Sequence, residues 1–220
     1  MTRPWQTLAT VPVDEGNLVL QRRGDDFLIL IAGRVLMNSF SRSSEEEHAR
    51  LGVQPIAQRA APHVLTAGLG MGFTLRAALD ALPADAHVHV VELNPVVVDW
   101  CKGPLAEPTG HALEDPRVRL ELADVSKVIA NATPGSYDAI LLDLYEGPNA
   151  QTQGNDDPFW SGQALKRTRT ALSSGGVFSV WSEDPDPAFE RRFGASGFEV
   201  TTHAIGRGGR KHFVYIGRKR

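Results

Sequence analysis

Val64-Leu65-Thr66-Ala67-Gly68-Leu69-Gly70-Met71-Gly72 decides how this chain is read. An apolar strand runs into a loop with glycine at every second position, and the helix-forming Phe73-Thr74-Leu75-Arg76-Ala77-Ala78-Leu79 follows. Glycine is needed where the main chain turns tightly and comes close to a ligand with no Cβ in the way. Further on, His87-Val88-His89-Val90-Val91 forms a second apolar strand that ends in Glu92. An acid on the next strand tip is placed to accept both hydroxyls of a ribose. A nucleoside-containing ligand is the expectation.

The dinucleotide fingerprint G-x-G-x-x-G would need a glycine where Phe73 stands. Gly68-x-Gly70-x-Gly72 is instead the spacing of transferases that bind sulfonium nucleosides of the S-adenosylmethionine type. Alone, such a motif also fits an ordinary strand-to-helix turn. Two more acids argue against that. Asp124 closes Val118-Arg119-Leu120-Glu121-Leu122-Ala123, and Asp143 closes Ala139-Ile140-Leu141-Leu142. Successive strands that each finish in a carboxylate mark the ligand edge of an open parallel sheet.

At 220 residues the chain suits one domain with a small appendage. A formal net charge of -3 argues against nucleic-acid binding by electrostatics. No apolar run reaches the length of a membrane span, and no basic-then-apolar leader opens the sequence. The single cysteine, Cys101, allows no intrachain disulfide and reads as a small packing residue on a helix. A cytoplasmic location is expected. No Cys/His spacing suggests a metal.

Residues 1–60 read as an appendage and residues 61–220 as the nucleoside-binding domain. In the first, Asn17 to Ile31 forms two strands around a Gly24-Asp25 turn. Arg34 to Asn38 is extended, and Ser43-Ser44-Glu45-Glu46-Glu47 opens a helix with hydroxyls and acids in its first turn. In the second, strands are predicted at 63–68, 87–92, 118–123, 137–143, 175–181, 197–204 and 211–217. Helices are predicted at 72–82, 95–106, 125–131, 158–172 and 186–195. This alternation calls for an α/β fold with a mostly parallel sheet. The short Gly206-to-Arg210 turn makes the last two strands an antiparallel hairpin. The expected architecture is the Rossmann-like class I methyltransferase fold, seven strands with an antiparallel last strand.

Several segments together resemble the spermidine synthase (polyamine aminopropyltransferase) family. They are Gly68-Leu69-Gly70-Met71-Gly72, Val91-Glu92-Leu93-Asn94-Pro95, Asp115-Pro116-Arg117-Val118, and Tyr137-Asp138-Ala139-Ile140-Leu141-Leu142-Asp143 with Gly147-Pro148 beyond. The resemblance covers the chain from about residue 60 onward. It implies a donor of the S-adenosylmethionine or decarboxylated S-adenosylmethionine type, and relatives that are often dimers. Two departures matter. Met71 stands where the family carries an acid that holds the amine of an aminopropyl donor. The family's Asp-x-x-Asp is here Asp143-Leu144-Tyr145-Glu146.

Gly68, Gly70 and Gly72 are assigned to main-chain contact with the donor, Glu92 to the ribose, and Asp124 with the Val125 main chain to the adenine edge. Glu92 also reads as a solvated strand-end acid, and Asp124 as a helix cap. Asp143 and Glu146 are the candidates for binding and deprotonating an acceptor, with Tyr145 offering a hydroxyl or an aromatic face. Asn155, Asp156 and Trp160 lie in or near a polar loop expected to face the acceptor, although Asp156 or Asp157 equally suits a cap. Trp181 is a wall residue or a core residue. The basic residues from Arg207 onward read as a solvated hairpin and tail, or as an anion-steering surface. A small acceptor, an amine among the candidates, is expected. Methyl transfer is preferred because of Met71; aminopropyl transfer to putrescine is the alternative, and a non-catalytic nucleoside-binding protein a third.

Overall fold

The computed structural model describes residues 3–144, 147–148, 156–206 and 211–220. The chain divides into two compact units, the first ending at Arg42 and the second spanning Ser43–Arg220. The first is an antiparallel meander of β1 (Gln6–Val13), β2 (Gly16–Arg23), β3 (Asp26–Ile31) and β4 (Arg34–Asn38). Arg23 pairs with Asp26, which leaves Gly24-Asp25 as the turn the sequence predicts. Alternation buries Leu18, Leu20, Phe27 and Ile29. Strand β1 escaped the sequence reading because Pro12 interrupts its pattern; the proline is tolerated because β1 lies at the sheet edge.

The second unit runs α1 (Ser43–Val53), β5 (His63–Ala67), α2 (Phe73–Ala81), β6 (His87–Glu92), α3 (Pro95–Lys102), β7 (Val118–Leu122), α4 (Val125–Ala130) and β8 (Tyr137–Leu142). It continues with α5 (Gly162–Ala171), β9 (Leu172–Ser182), α6 (Pro187–Ala195), β10 (Phe198–Ile205) and β11 (His212–Lys219). Its seven strands lie in the order β10-β11-β9-β8-β5-β6-β7. Strands β5 to β9 pair in parallel, and β11 runs antiparallel to both neighbours. This is the architecture expected from the sequence.

Four boundaries differ, each for a local reason. Helix α1, read with the appendage, belongs to the second unit: its Ala49 and Val53 are fully buried, and Gly52 sits against Leu141 and Ser179 of the sheet. The unit boundary therefore falls after Arg42, not near residue 60. Helix α3 stops early because Gly103-Pro104 follows. Helix α5 starts at Gly162, where the Ser161 hydroxyl accepts the Ala164 N–H at 3.2 Å. Strand β9 begins at Leu172, opposite Tyr137, and then bulges so that Val177 faces Ala139.

One face of the sheet buries Leu65, Ala67, Val91, Ile140, Leu142, Phe178 and Val180 in a cluster with Ile129, Leu165 and Phe189 of the helices. Phe178 and Phe193 meet edge to face at 5.4 Å, as do Phe189 and Tyr215 at 5.1 Å. Burying each such ring contributes about 1.5–3 kcal/mol. On the opposite face, α1 covers Leu141 and Ser179. The chain moves outward from β5 through β6 to β7, then returns to the other side of β5 with β8. That reversal opens a crevice at the carboxyl ends of β5 and β8, where sheets of this kind take their ligands.

Candidate functional site

The strand tips align at this crevice. Gly68 N–H donates to the Val91 carbonyl at 3.2 Å, Asp143 N–H to the Ala67 carbonyl at 2.9 Å, and Ala123 N–H to the Glu92 carbonyl at 3.0 Å. Gly68, Glu92, Asp124 and Asp143 thus belong to one edge. Gly68 has φ +81°, and a Cβ there would collide with the Asp143 carbonyl. The close approach of two strand ends, in addition to any ligand, requires this glycine. Gly70 and Gly72 also have positive φ, 52° and 85°. Gly72 is the N-cap of α2, so the cap residue has no side chain of its own to accept from the first-turn N–H groups.

Glu92 is 9% exposed. Its Oε2 accepts the Leu69 N–H at 2.8 Å and its Oε1 accepts the Asn94 N–H at 2.8 Å. The residue is therefore not a solvated strand-end acid: it fastens the glycine loop to the β6–α3 turn. Each oxygen keeps a lone pair for a further donor, which leaves room for a diol. Leu93 and Leu122 beside it are large apolar side chains left 73% and 55% exposed.

Asp124 caps α4. Its Oδ1 accepts from the Ser126 N–H at 2.9 Å and the Ser126 hydroxyl at 2.6 Å. Those hydrogen bonds hold its carboxyl below the usual aspartate range. The Val125 side chain is buried in the core, so only its main chain can reach the crevice.

Asp143 is half-buried, and its Oδ2 accepts the hydroxyl of Thr74 on α2. Burial pushes its carboxyl up to about 6, against the opposing Thr74 hydrogen bond. Sequence reasoning missed Thr74, because the contact joins residues far apart in the chain. It also read Glu45 only as a helix-end acid. Glu45 is 7% exposed, and burial together with the charge of Asp143 pushes it up to about 7.

The remaining assignments separate. Tyr145, Glu146 and Asn155 lie outside the described residues, as do Arg207 and Arg210. Asp156 is exposed, and neither it nor Asp157 caps α5, whose cap is Ser161; Asp157 holds the turn before the helix, its Oδ1 accepting the Phe159 and Trp160 N–H groups at 2.8 and 2.6 Å. Trp160, expected near the acceptor, lies in the buried core cluster. Its ring is buried edge-on against Phe189 at 5.5 Å, and its carbonyl accepts from Arg192. Trp181 is half-buried at the tip of β9 and stacks on His212 at 5.1 Å. It shares the α1 side of the sheet with Ser179, whose hydroxyl bonds the His48 carbonyl. Met71 is fully buried and offers no surface to a donor. Cys101 is buried behind the loop, its thiol donating to the Gly70 carbonyl at 3.3 Å and pushed up to about 12 by burial. Among the described residues no three side chains form a metal-binding group, and no helix is long and apolar enough to cross a membrane.

Residues 49–190 match the spermine/spermidine synthase domain. A polyamine aminopropyltransferase of Mycobacterium tuberculosis is 27% identical over 171 residues, 77% of this chain and 31% of that protein. One from Prochlorococcus marinus is 33% identical over 123 residues, 56% of this chain and 41% of that protein. Putrescine N-methyltransferase 4 of Nicotiana tabacum is 32% identical over 136 residues, 62% of this chain and 32% of that protein. The chain thus matches 31% to 41% of the length of these relatives. In fold it is similar to the spermidine synthase of Thermotoga maritima, with a TM-score of 0.76 at 18% identity over 98% of this chain and 73% of that one. A probable spermidine synthase from Corynebacterium glutamicum gives 0.69 at 19% identity, over 96% and 79%.

Proposed function

The chain belongs to the spermine/spermidine synthase family, and from that premise we propose that it transfers an alkyl group from an adenosyl sulfonium donor to a small amine. The observation that carries this reading is Asp143, a partly desolvated carboxylate at the tip of β8 against the glycine loop. A sulfonium donor brings an already activated carbon, so the protein must position two reactants and remove a proton. In this reading the loop main chain at Gly70 and Gly72 holds the donor tail. Glu92 takes the ribose, and Asp124 with the Val125 main chain takes the adenine edge. Asp143 attracts the acceptor ammonium and helps strip it, because only a neutral amine is a nucleophile and its ordinary pKa lies near 10.

Aminopropyl transfer from decarboxylated S-adenosylmethionine, with putrescine as acceptor, is the reading we favour. Polyamine aminopropyltransferases are among the similar proteins, and one of the similar structures is a spermidine synthase in complex with the transition-state analogue AdoDATO. The preference for methyl transfer rested on Met71, which stands where the family carries the acid that holds the amine of an aminopropyl donor; Met71 is fully buried, and that departure from the family pattern stays. Methyl transfer is the second reading, supported by the likeness to putrescine N-methyltransferase and by the first turn of α2. The main-chain N–H groups of a helix's first turn suit a carboxylate, which only the intact donor carries.

Calorimetry of the chain with each donor, followed by mass analysis of the product formed on putrescine, tests this. Tighter binding of the decarboxylated donor and formation of spermidine are expected. Tighter binding of the intact donor and formation of methylputrescine would transfer the assignment to the second reading. Absence of binding by either donor would end both.

A further inference from the structure

Thr74 lies in the first turn of α2, just beyond the glycine loop, and is 2% exposed. Phe73 and Leu75 on either side of it are buried too, which fixes the turn in its surroundings. So early in the helix, the hydroxyl has no carbonyl of a preceding helical turn to bond. It reaches instead to the tip of β8 and donates to Oδ2 of Asp143. The Asp143 main chain is held as well, its N–H donating to the Ala67 carbonyl of β5 at 2.9 Å. Among the described residues its other carboxylate oxygen, Oδ1, takes no hydrogen bond and Asp143 forms no ion pair. The charged groups nearby are otherwise engaged. Glu45 of α1 feels the charge of Asp143 and accepts the Ser44 hydroxyl, and His212 of β11 acts on Glu45. Arg76 of α2 pairs with Asp80, and both oxygens of Glu92 hold main-chain N–H groups.

We infer that Thr74 is a positioning residue for Asp143: its hydroxyl holds Oδ2, so that Oδ1 meets the acceptor ammonium at a place set by the helix that begins at the donor loop. This deepens the transfer reading and rests on it. An N–H bond of the ammonium breaks, its electron pair stays on nitrogen, and the proton passes to Oδ1. The freed amine then forms the new N–C bond while the C–S bond of the sulfonium donor breaks. That electron pair goes to sulfur, leaving a neutral thioether and an alkylated ammonium. A carboxylate with one oxygen tied presents a single basic atom in a single pose, which is what an in-line transfer needs. The Thr74 bond also opposes burial, which has raised the Asp143 carboxyl to about 6, and so favours the form that can accept a proton.

Two measurements on the full chain test it. Thr74→Val removes the hydroxyl and keeps the shape, Thr74→Ala repeats the removal in a smaller side chain, and Thr74→Ser keeps the hydroxyl. In carboxyl carbon NMR without ligand, Asp143 is expected to titrate about one unit higher in the valine and alanine variants and to return toward the wild-type value with serine. In pH-rate profiles on putrescine with whichever donor turns over, Thr74→Val is expected to lower kcat at neutral pH by about tenfold to a hundredfold. Its acid limb should move to higher pH with KM for the donor unchanged, and Thr74→Ser should restore both rate and limb. An Asp143 signal that titrates alike with and without the hydroxyl overturns the inference. So does an unmoved acid limb in Thr74→Val and Thr74→Ala while the wild type turns over. A wild type that binds donor yet alkylates no amine defeats the transfer reading itself, and the role of Thr74 with it.

Discussion

Substituting Gly68 by alanine measures the close approach of the β5 and β8 tips on which the crevice depends. Two costs combine. The residue sits at φ +81°, and a Cβ in that region costs about 1–2 kcal/mol. The same Cβ would overlap the Asp143 carbonyl, and forcing main chain aside in a filled site costs about 1–3 kcal/mol more. Gly110→Ala is the control: φ is +55° there, but nothing lies within 4 Å of the added carbon, so only the first cost applies. Chemical denaturation of both variants should show Gly68→Ala losing about 2–5 kcal/mol and Gly110→Ala about 1–2 kcal/mol. Both positions lie in the second unit, which keeps the comparison within one transition. Calorimetry should also show weakened donor binding in Gly68→Ala, because Asp143 and the loop shift together. Equal losses in the two variants, within about 0.5 kcal/mol, would refute the reasoning, since the strands would then not be held at that separation.

Glu92→Ala would strand two main-chain N–H groups, those of Leu69 and Asn94, and remove the ribose acceptor. Loss of about 2–4 kcal/mol of stability and of measurable donor affinity in titration calorimetry is expected; unaltered donor binding would remove Glu92 from the site. His48 is fully buried with both ring nitrogens unpaired, and burial lowers it from 6.5 to about 4. The unfolded chain binds that proton more tightly, so the contribution of His48 is present above pH 6.5 and is lost as pH falls toward 4. About 3 kcal/mol should disappear across that window, and His48→Leu should abolish this part of the pH dependence of urea unfolding. Cys101, buried and pushed up to about 12, should resist a chromogenic disulfide reagent in the folded chain and react at once in denaturant.

The mostly parallel sheet, its antiparallel last strand and the glycine loop were legible because each rests on local patterns: apolar runs, turn residues and an acid closing each strand. The places of Asp143 and Glu92 at strand ends were legible for the same reason. What escaped depended on distant residues meeting. Nothing near Thr74 announces that its hydroxyl will reach Asp143, and nothing near Glu45 shows that its helix lies over β8 and β9. Trp160 was misread in the opposite way. Its place near a polar loop suggested that it faces the acceptor, whereas the ring turns inward against Phe189. Met71 is fully buried, and it still leaves the loop without the acid that the family carries there.

The strand order has a consequence for how the molecule is made. β11, translated after the other described strands, is inserted between β9 and β10, and among the described strands β10 pairs only with it. While the ribosome is still supplying residues 212–219, β9 carries a bare edge and β10 has nothing to zip onto. The nascent chain therefore holds a gap that β11 must fill later, and an edge left open in that way invites pairing with other chains.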